Sequence, residues 1–135
     1  RIGYAMGNKR LIQAMTDVKE SINSYTMTRE SIVLGAASLA DEEYFQEKKQ
    51  MVFATRERTK EELRRRGFEV LDSSANFLFA KPNSVDAGWL FEELKKEKIF
   101  VRHFNGERIK DYLRISIGTD QQMDCLLQAI DRIMA

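Results

Sequence analysis

The chain is poor in residues that cross-link, ligate or break structure. Among 135 residues it has one cysteine (Cys125), one proline (Pro82), one histidine (His103) and one tryptophan (Trp89). A single thiol cannot close an intrachain disulfide, so the fold must rest on noncovalent packing. A single imidazole with no second cysteine gives no metal-ligand spacing, and neither G-x-G-x-x-G nor G-x-x-x-x-G-K-[ST] occurs, which argues against a metal centre and against nucleotide-phosphate loops. No run approaches the ~20 apolar residues of a membrane span. Charge of one sign is also lacking. With 22 Lys and Arg against 21 Asp and Glu, the net charge is +1, and no whole-protein field would recruit nucleic acid or an anionic membrane. Cysteine usage and the lack of a signal peptide fit a soluble cytoplasmic protein. The chain opens without Met on an apolar, β-like run, Arg1-Ile2-Gly3-Tyr4, which reads as the start of a fragment.

Regular elements can be read along most of the length. Residues 1–6 suggest a short strand ended by Gly7. Asn8 can cap a helix carrying Leu11, Ile12, Met15, Val18 and Ile22 at helical spacing. Thr28 can cap a second helix whose Gly35-Ala36-Ala37-Ser38 run would let another element approach closely, and Asp41 restarts or continues it. From Tyr44, the positions Phe45, Met51, Val52, Thr55, Thr59 and Leu63 mark one face of a long helix that ends at Gly67. At 1.5 Å per residue it would run about 35 Å, enough to bridge two domains. The Arg64-Arg65-Arg66 run at its end is read as a solvated cap that complements the helix dipole.

Beyond Gly67 the texture changes to short β-rich runs at 68–71 and 76–80, the second closed by Pro82. A helix over 84–97 follows, capped by Asn83 or Ser84, with Asp86 in its first turn and Trp89, Leu90 and Leu94 on its apolar face. The strand 99–102 then completes a βαβ-type unit. The strand 112–117 leads to a last helix that starts at Gly118-Thr119, with Gln122 placed for a capping box and Leu126, Leu127, Ile130 and Ile133 facing inward. The fold class is therefore α+β: a small, mostly antiparallel sheet covered by helices, preceded by a long bridging helix.

Chemistry is concentrated in arginines. His103 reads as a surface or polar-network imidazole rather than a general base, and Cys125 as a small core residue rather than a nucleophile. Arg102 ends the 99–102 strand. In Tyr112-Leu113-Arg114-Ile115-Ser116-Ile117, alternation puts Leu113, Ile115 and Ile117 on one face and Arg114 with Tyr112 and Ser116 on the other. A guanidinium stays charged and offers a planar fork matched to carboxylate or phosphate, so both arginines can anchor an anion or can simply be exposed strand residues.

Several segments carry a family resemblance. The string Arg102-His103-Phe104-Asn105 with Ile109-Lys110-Asp111-Tyr112-Leu113-Arg114-Ile115-Ser116-Ile117-Gly118-Thr119 resembles the C-terminal signature of the histidinol-phosphate aminotransferases, within the fold-type-I pyridoxal-phosphate aminotransferase family. Arg1-Ile2-Gly3-Tyr4-Ala5, Gly67-Phe68-Glu69-Val70 and Ser73-Ser74-Ala75-Asn76-Phe77-Leu78-Phe79 are similar to other segments of the same family, in the same order, so the resemblance covers nearly the whole chain. Enzymes of phenylalanine, cobalamin and threonine-phosphate metabolism share similar tails, which makes the motifs more specific for the family than for the substrate.

The resemblance implies transamination between histidinol phosphate and 2-oxoglutarate in histidine biosynthesis, with pyridoxal phosphate as cofactor. It implies that Arg1 binds the cofactor phosphate, that Arg114 pairs with the substrate carboxylate and that Arg102 helps hold the substrate's phosphate end. The family's Schiff-base lysine, expected a few residues before Arg1, is absent, so no catalytic residue is assigned and the chain alone is expected to be inactive. By the same anatomy, residues 1–27 would be the tail of a large cofactor-binding domain, 28–67 bridging helices and 68–135 a C-terminal small domain. Expected partners are a missing N-terminal large domain, a second copy in a homodimer, and small amino-acid and oxo-acid substrates. The residues themselves leave a second reading open, a free-standing α+β module that uses Arg102 and Arg114 to hold an anionic metabolite or a partner.

Overall fold

A computed structural model of the chain describes residues 2–135; Arg1, matched above to a cofactor phosphate, lies outside the described residues. The chain divides into two compact units, Arg1–Gln46 and Glu47–Ala135.

The first unit is helical. Helix α1 (Lys9–Ile22) starts where Asn8 accepts a hydrogen bond from the Arg10 backbone N–H, and α2 (Arg29–Ala40) starts on Thr28, whose hydroxyl accepts from the Ser31 N–H. Both caps are those expected from the sequence. The N-terminal strand is not formed: residues 2–8 carry no strand and are exposed. A strand needs a paired neighbour, and none of the pairings of the sheet includes this segment. Instead Ile2 packs on the small-residue stretch of α2. A β-carbon added at Gly35 would stand 2.6 Å from Ile2 Cδ1, so only glycine admits the contact. Neither helix buries a residue within the unit, and Leu11, Met15, Val18 and Ile22 form an exposed apolar stripe along α1.

Helix α3 (Glu42–Arg65) carries most of its length in the second unit. It begins where the Tyr44 N–H donates to the Asp41 carboxylate. It ends at Gly67, whose φ of 80° is the left-handed conformation that favours glycine. Its buried face is narrower than the expected one. Thr55, Thr59 and Leu63 are buried, but Phe45 and Met51 are exposed, and the buried set includes Arg56, which donates to the Ala75 carbonyl at 3.0 Å.

Four short strands form one antiparallel sheet in the order β1-β2-β4-β3, with β1 Phe68–Val70, β2 Phe77–Pro82, β3 Arg102–His103 and β4 Leu113–Ser116. Because β4 is antiparallel to both β2 and β3, those two run parallel with β4 slotted between them. The expected βαβ unit is thus a split one. Side-chain alternation separates the two sheet faces. Phe68, Val70, Leu78, Ala80, Leu113 and Ile115 point into a core closed by Leu63 of α3, by Leu90 and Leu94 of α4 (Ala87–Lys96), and by Leu126, Leu127 and Ile130 of α5 (Asp120–Met134). Full burial of each such leucine or isoleucine contributes about 1.5–3 kcal/mol.

Local differences from the sequence reading have local causes. Asp86, not Asn83 or Ser84, caps α4, accepting from the Trp89 N–H at 2.8 Å. Trp89 is 43% exposed because Ala87, Leu90 and Leu94 complete the inward stripe at helical spacing and leave its position off that stripe. The strand expected at 99–102 begins at Arg102 instead of ending there. Residues 97–99 are spent closing α4: Lys98 takes φ 62° and the Ile99 N–H reaches back to the Leu94 carbonyl at 2.9 Å. Cys125 is exposed rather than core, since the buried stripe of α5 runs through Met123, Leu126, Leu127 and Ile130. The capping box of Thr119 and Gln122 forms as read.

The arginine run at the end of α3 is more than a solvated cap. Arg65 pairs with Glu62, and Arg64 with Glu61 and with the Val70 carbonyl. Arg66 makes a bidentate pair with Asp131 of α5, at 2.7 and 2.9 Å. That pair ties two helices together.

Candidate functional site

The face of the sheet away from the core carries the chemistry. Glu69, Phe77, Phe79, Lys81, Arg114 and Ser116 alternate out of the core from β1, β2 and β4. Strand pairing sets Arg102 directly opposite Arg114, and Arg114 is also opposite Phe79. The expected outward direction of Arg114 and the inward direction of Leu113 and Ile115 are both found.

Opposed residues in an antiparallel pair have α-carbons only about 4.5–5.5 Å apart. Like charges in that relation repel. Ion pairs would offset the repulsion, yet among the described residues neither Arg102 nor Arg114 has a carboxylate partner within 4.0 Å.

What the guanidiniums have instead is an aromatic bed. The Arg114 guanidinium carbon lies 5.4 Å from the Phe77 ring centroid and 5.8 Å from that of Phe104, while Arg102 lies 5.8 Å from the same Phe104 ring. Phe104 in turn stacks on Phe79 with centroids 6.3 Å apart and planes 8° apart, and Phe79 touches both Phe77 and Tyr112. The rings shield one side of each cation from water and leave its N–H edges to find partners elsewhere.

Arg114 has not found them all. Its Nε is the only buried side-chain nitrogen or oxygen among the described residues without a hydrogen-bond partner. A buried donor left unpaired costs about 1–3 kcal/mol, more when charged, which marks this nitrogen as one that gains from an acceptor. A half-buried, always-charged fork lying on rings, with a free donor and a second cation beside it, has the chemistry to pair with an anion whose acceptor oxygens lie in a plane.

Three other polar side chains near this face are already engaged, those of Tyr112, Lys81 and His103. The Tyr112 hydroxyl donates to the Glu69 carboxylate at 2.9 Å, and that carboxylate pushes the phenol's pKa up. Lys81 faces the Asp111 carboxylate at 3.6 Å. His103 sits at a strand position, with Nε2 2.6 Å from the Lys110 carbonyl, which can only accept, and its ring 6.0 Å from that of Phe91. It is a network imidazole, as read. The aromatic bed was not anticipated. The signal for it was present, because Phe77 and Phe79 alternate against Leu78 in the same way that Arg114 alternates against Leu113 and Ile115.

The family model described as aminotransferase class I and II matches residues 1–130 of the chain. The histidinol-phosphate aminotransferase of Clostridium acetobutylicum is 44% identical over 135 residues, covering all of this chain and 38% of that protein. That of Aromatoleum aromaticum is 46% identical over 134 residues, covering 99% of this chain and again 38% of that protein. The chain thus spans little more than a third of the length of these relatives. Among solved structures, the histidinol-phosphate aminotransferase from Sinorhizobium meliloti in complex with pyridoxal-5'-phosphate superposes with a TM-score of 0.76 at 26% identity, covering 91% of this chain and 34% of that one. A crystal structure of a histidinol-phosphate aminotransferase from C. acetobutylicum superposes with a TM-score of 0.62 at 26% identity, covering 69% of this chain and 29% of that one.

Proposed function

Because the chain belongs to the aminotransferase class I and II family, we propose that it forms the substrate-anion arm of a pyridoxal-phosphate-dependent enzyme that moves an amino group between histidinol phosphate and 2-oxoglutarate in histidine biosynthesis. The observation that carries this reading is the buried, unpartnered Nε of Arg114 beside a second unpaired guanidinium. The names of the relatives supply the substrate. A free-standing anion-binding module has no observation in its favour that this reading lacks.

Arg114 holds the carboxylate that amino-acid and oxo-acid substrates share. Arg102, directly across the strand pair and more exposed, holds the phosphate end. A guanidinium offers only donors and no acceptor, so the task of both arginines is to bind and orient and not to carry a proton. The Phe77 and Phe104 rings keep water from one face of the Arg114 fork, which strengthens its bonds to an anion. When bound, pyridoxal phosphate supplies the electron sink.

The described residues do not make a site for the cofactor ring. The lysine on the same face, Lys81, is paired with Asp111, and Glu69 is occupied by Tyr112. Those functions belong elsewhere in the enzyme, and this chain alone is inactive. Arg1, outside the described residues, is assigned to the cofactor phosphate on the family resemblance. We place residues 1–27 at the tail of the large domain, 28–67 in bridging helices and 68–135 in the C-terminal small domain. The exposed Leu11, Met15, Val18 and Ile22 stripe then packs on the rest of the enzyme, which acts as a homodimer.

The test is kinetic, in the full-length enzyme. Arg114→Lys keeps the charge but loses the fork. Charged hydrogen bonds are worth about 1.5–3 kcal/mol, so kcat/KM should fall roughly ten- to a few hundred-fold for 2-oxoglutarate, which carries the carboxylate that histidinol phosphate lacks, with cofactor absorbance unchanged. Arg102→Lys should penalise histidinol phosphate selectively. Wild-type kcat/KM for 2-oxoglutarate in Arg114→Lys would refute the assignment.

A further inference from the structure

We infer that Phe104 is a positioning residue: one aromatic ring serves as the common plate on which both guanidiniums rest, and it thereby sets the spacing of the two anion anchors. The inference deepens the substrate-anion reading above and rests on it.

Among the described residues, Phe104 is the only ring that both arginines share. Its centroid is 5.8 Å from the guanidinium carbon of Arg102 and 5.8 Å from that of Arg114. Two cations held directly opposite on paired strands repel, and a ring face is attractive to each of them. A ring within reach of both therefore opposes their drift away from one another toward solvent. Their mutual repulsion sets the inner limit on the spacing, and the shared ring sets the outer one.

The plate must itself be held, since Phe104 lies just past β3 and outside the strand ladder. Two contacts do this. On one side it stacks nearly parallel on Phe79, a residue of the central strand β2. On the other, the adjacent His103 closes the loop that follows, its Nε2 donating to the Lys110 carbonyl at 2.6 Å, while the Ile109 and Lys110 N–H groups return to the Gly106 carbonyl at 2.9 and 2.8 Å. Phe104 is thus fixed from both the sheet and the loop. Its ring buries little that the core needs, because the core lies on the other face.

The test uses the full-length enzyme and compares Phe104→Leu, which keeps an apolar side chain but loses the π face, with Phe104→Tyr, which keeps the ring. Exposed cation–π contacts are individually weak and two are lost together, so kcat/KM for histidinol phosphate should fall roughly five- to thirty-fold in Phe104→Leu and recover in Phe104→Tyr. KM should carry the loss, with kcat and the thermal midpoint nearly unchanged. In the Arg114→Lys background Phe104→Leu should cost clearly less than in the wild type, because the two act through one contact. A readout independent of turnover is the Arg114 Nε–H resonance, which should lose its ring-current shift in Phe104→Leu. If Phe104→Leu loosens the loop, Phe104→Met gives the same comparison with a larger flexible side chain.

Wild-type kinetics in Phe104→Leu together with an impaired Arg114→Lys would overturn the plate and leave the anion reading standing. Wild-type kinetics in both would overturn the anion reading as well. A uniform loss in Phe104→Leu and Phe104→Tyr that tracks a fall in thermal midpoint would reduce Phe104 to packing and would also overturn the proposal.

Discussion

Replacing Arg66 by glutamine removes a charge that the sequence presents as one of three solvated cations and that the structure uses as a clasp. Arg66 closes α3 onto α5 through two bonds to Asp131, at 2.7 and 2.9 Å, and holds the Glu62 carbonyl and carboxylate at 3.0 and 2.6 Å. Its side chain is 24% exposed, whereas that of Asp131 is 51% exposed, so solvent screens part of the attraction. A fully exposed pair is worth about 0–1 kcal/mol and a shielded bidentate one more. We expect Arg66→Gln to cost about 1–2 kcal/mol and the Arg66–Asp131 coupling to be about 1 kcal/mol. The assay is urea unfolding of Arg66→Gln, Asp131→Asn and the double variant, read as a double-mutant cycle.

The pH dependence has a definite sign. The Arg66 guanidinium holds the carboxyls of Asp131 and Glu62 below their usual range. Their contribution is therefore full above the ordinary carboxylate pKa of about 4 and is lost as pH falls through the depressed values. The coupling should be present at neutral pH and shrink in acid. A coupling below about 0.3 kcal/mol at neutral pH would return Arg66 to the role of a solvated cap.

Two further outcomes follow from the core and from one strained residue. Leu126→Ala, at a site 1% exposed, should cost about 2–5 kcal/mol in urea unfolding, while Cys125→Ala on the exposed side of the same helix should stay within about 0.5 kcal/mol; equal effects would mean that the face of α5 has been misassigned. Lys98→Gly should stabilise the chain by about 0.5–1 kcal/mol, because the left-handed strain at φ 62° costs a non-glycine residue about 1–2 kcal/mol and the added freedom of the unfolded chain returns only part of that. A loss of stability in Lys98→Gly would show that the lysine side chain contributes more than its backbone costs.

The legible parts of the fold were those governed by local chemistry. Asn8, Thr28 and Thr119 cap because each can satisfy a backbone donor two or three residues on, and Gly67 ends α3 because it takes a positive φ. Alternation in 112–117 correctly separated Arg114 from Leu113 and Ile115. What escaped depended on distant partners. Residues 2–6 have strand-like composition but enter none of the sheet's pairings, and Arg66 becomes a clasp only because Asp131, 65 residues later, arrives on α5. The site shows the same division. Each arginine could be picked out from its own strand, but their opposition and their shared ring depend on β4 inserting between β2 and β3, which no local pattern specifies.

The central claim is that the unpartnered Nε of Arg114 awaits a substrate anion. It can be tested directly by following the Arg114 Nε–H resonance of the full-length enzyme, assigned by its loss in Arg114→Lys, while 2-oxoglutarate is added. The account predicts a downfield shift and slowed exchange with water as the donor acquires a carboxylate, saturating with the same concentration dependence as substrate binding. A resonance that stays unchanged while the enzyme saturates with 2-oxoglutarate would contradict it.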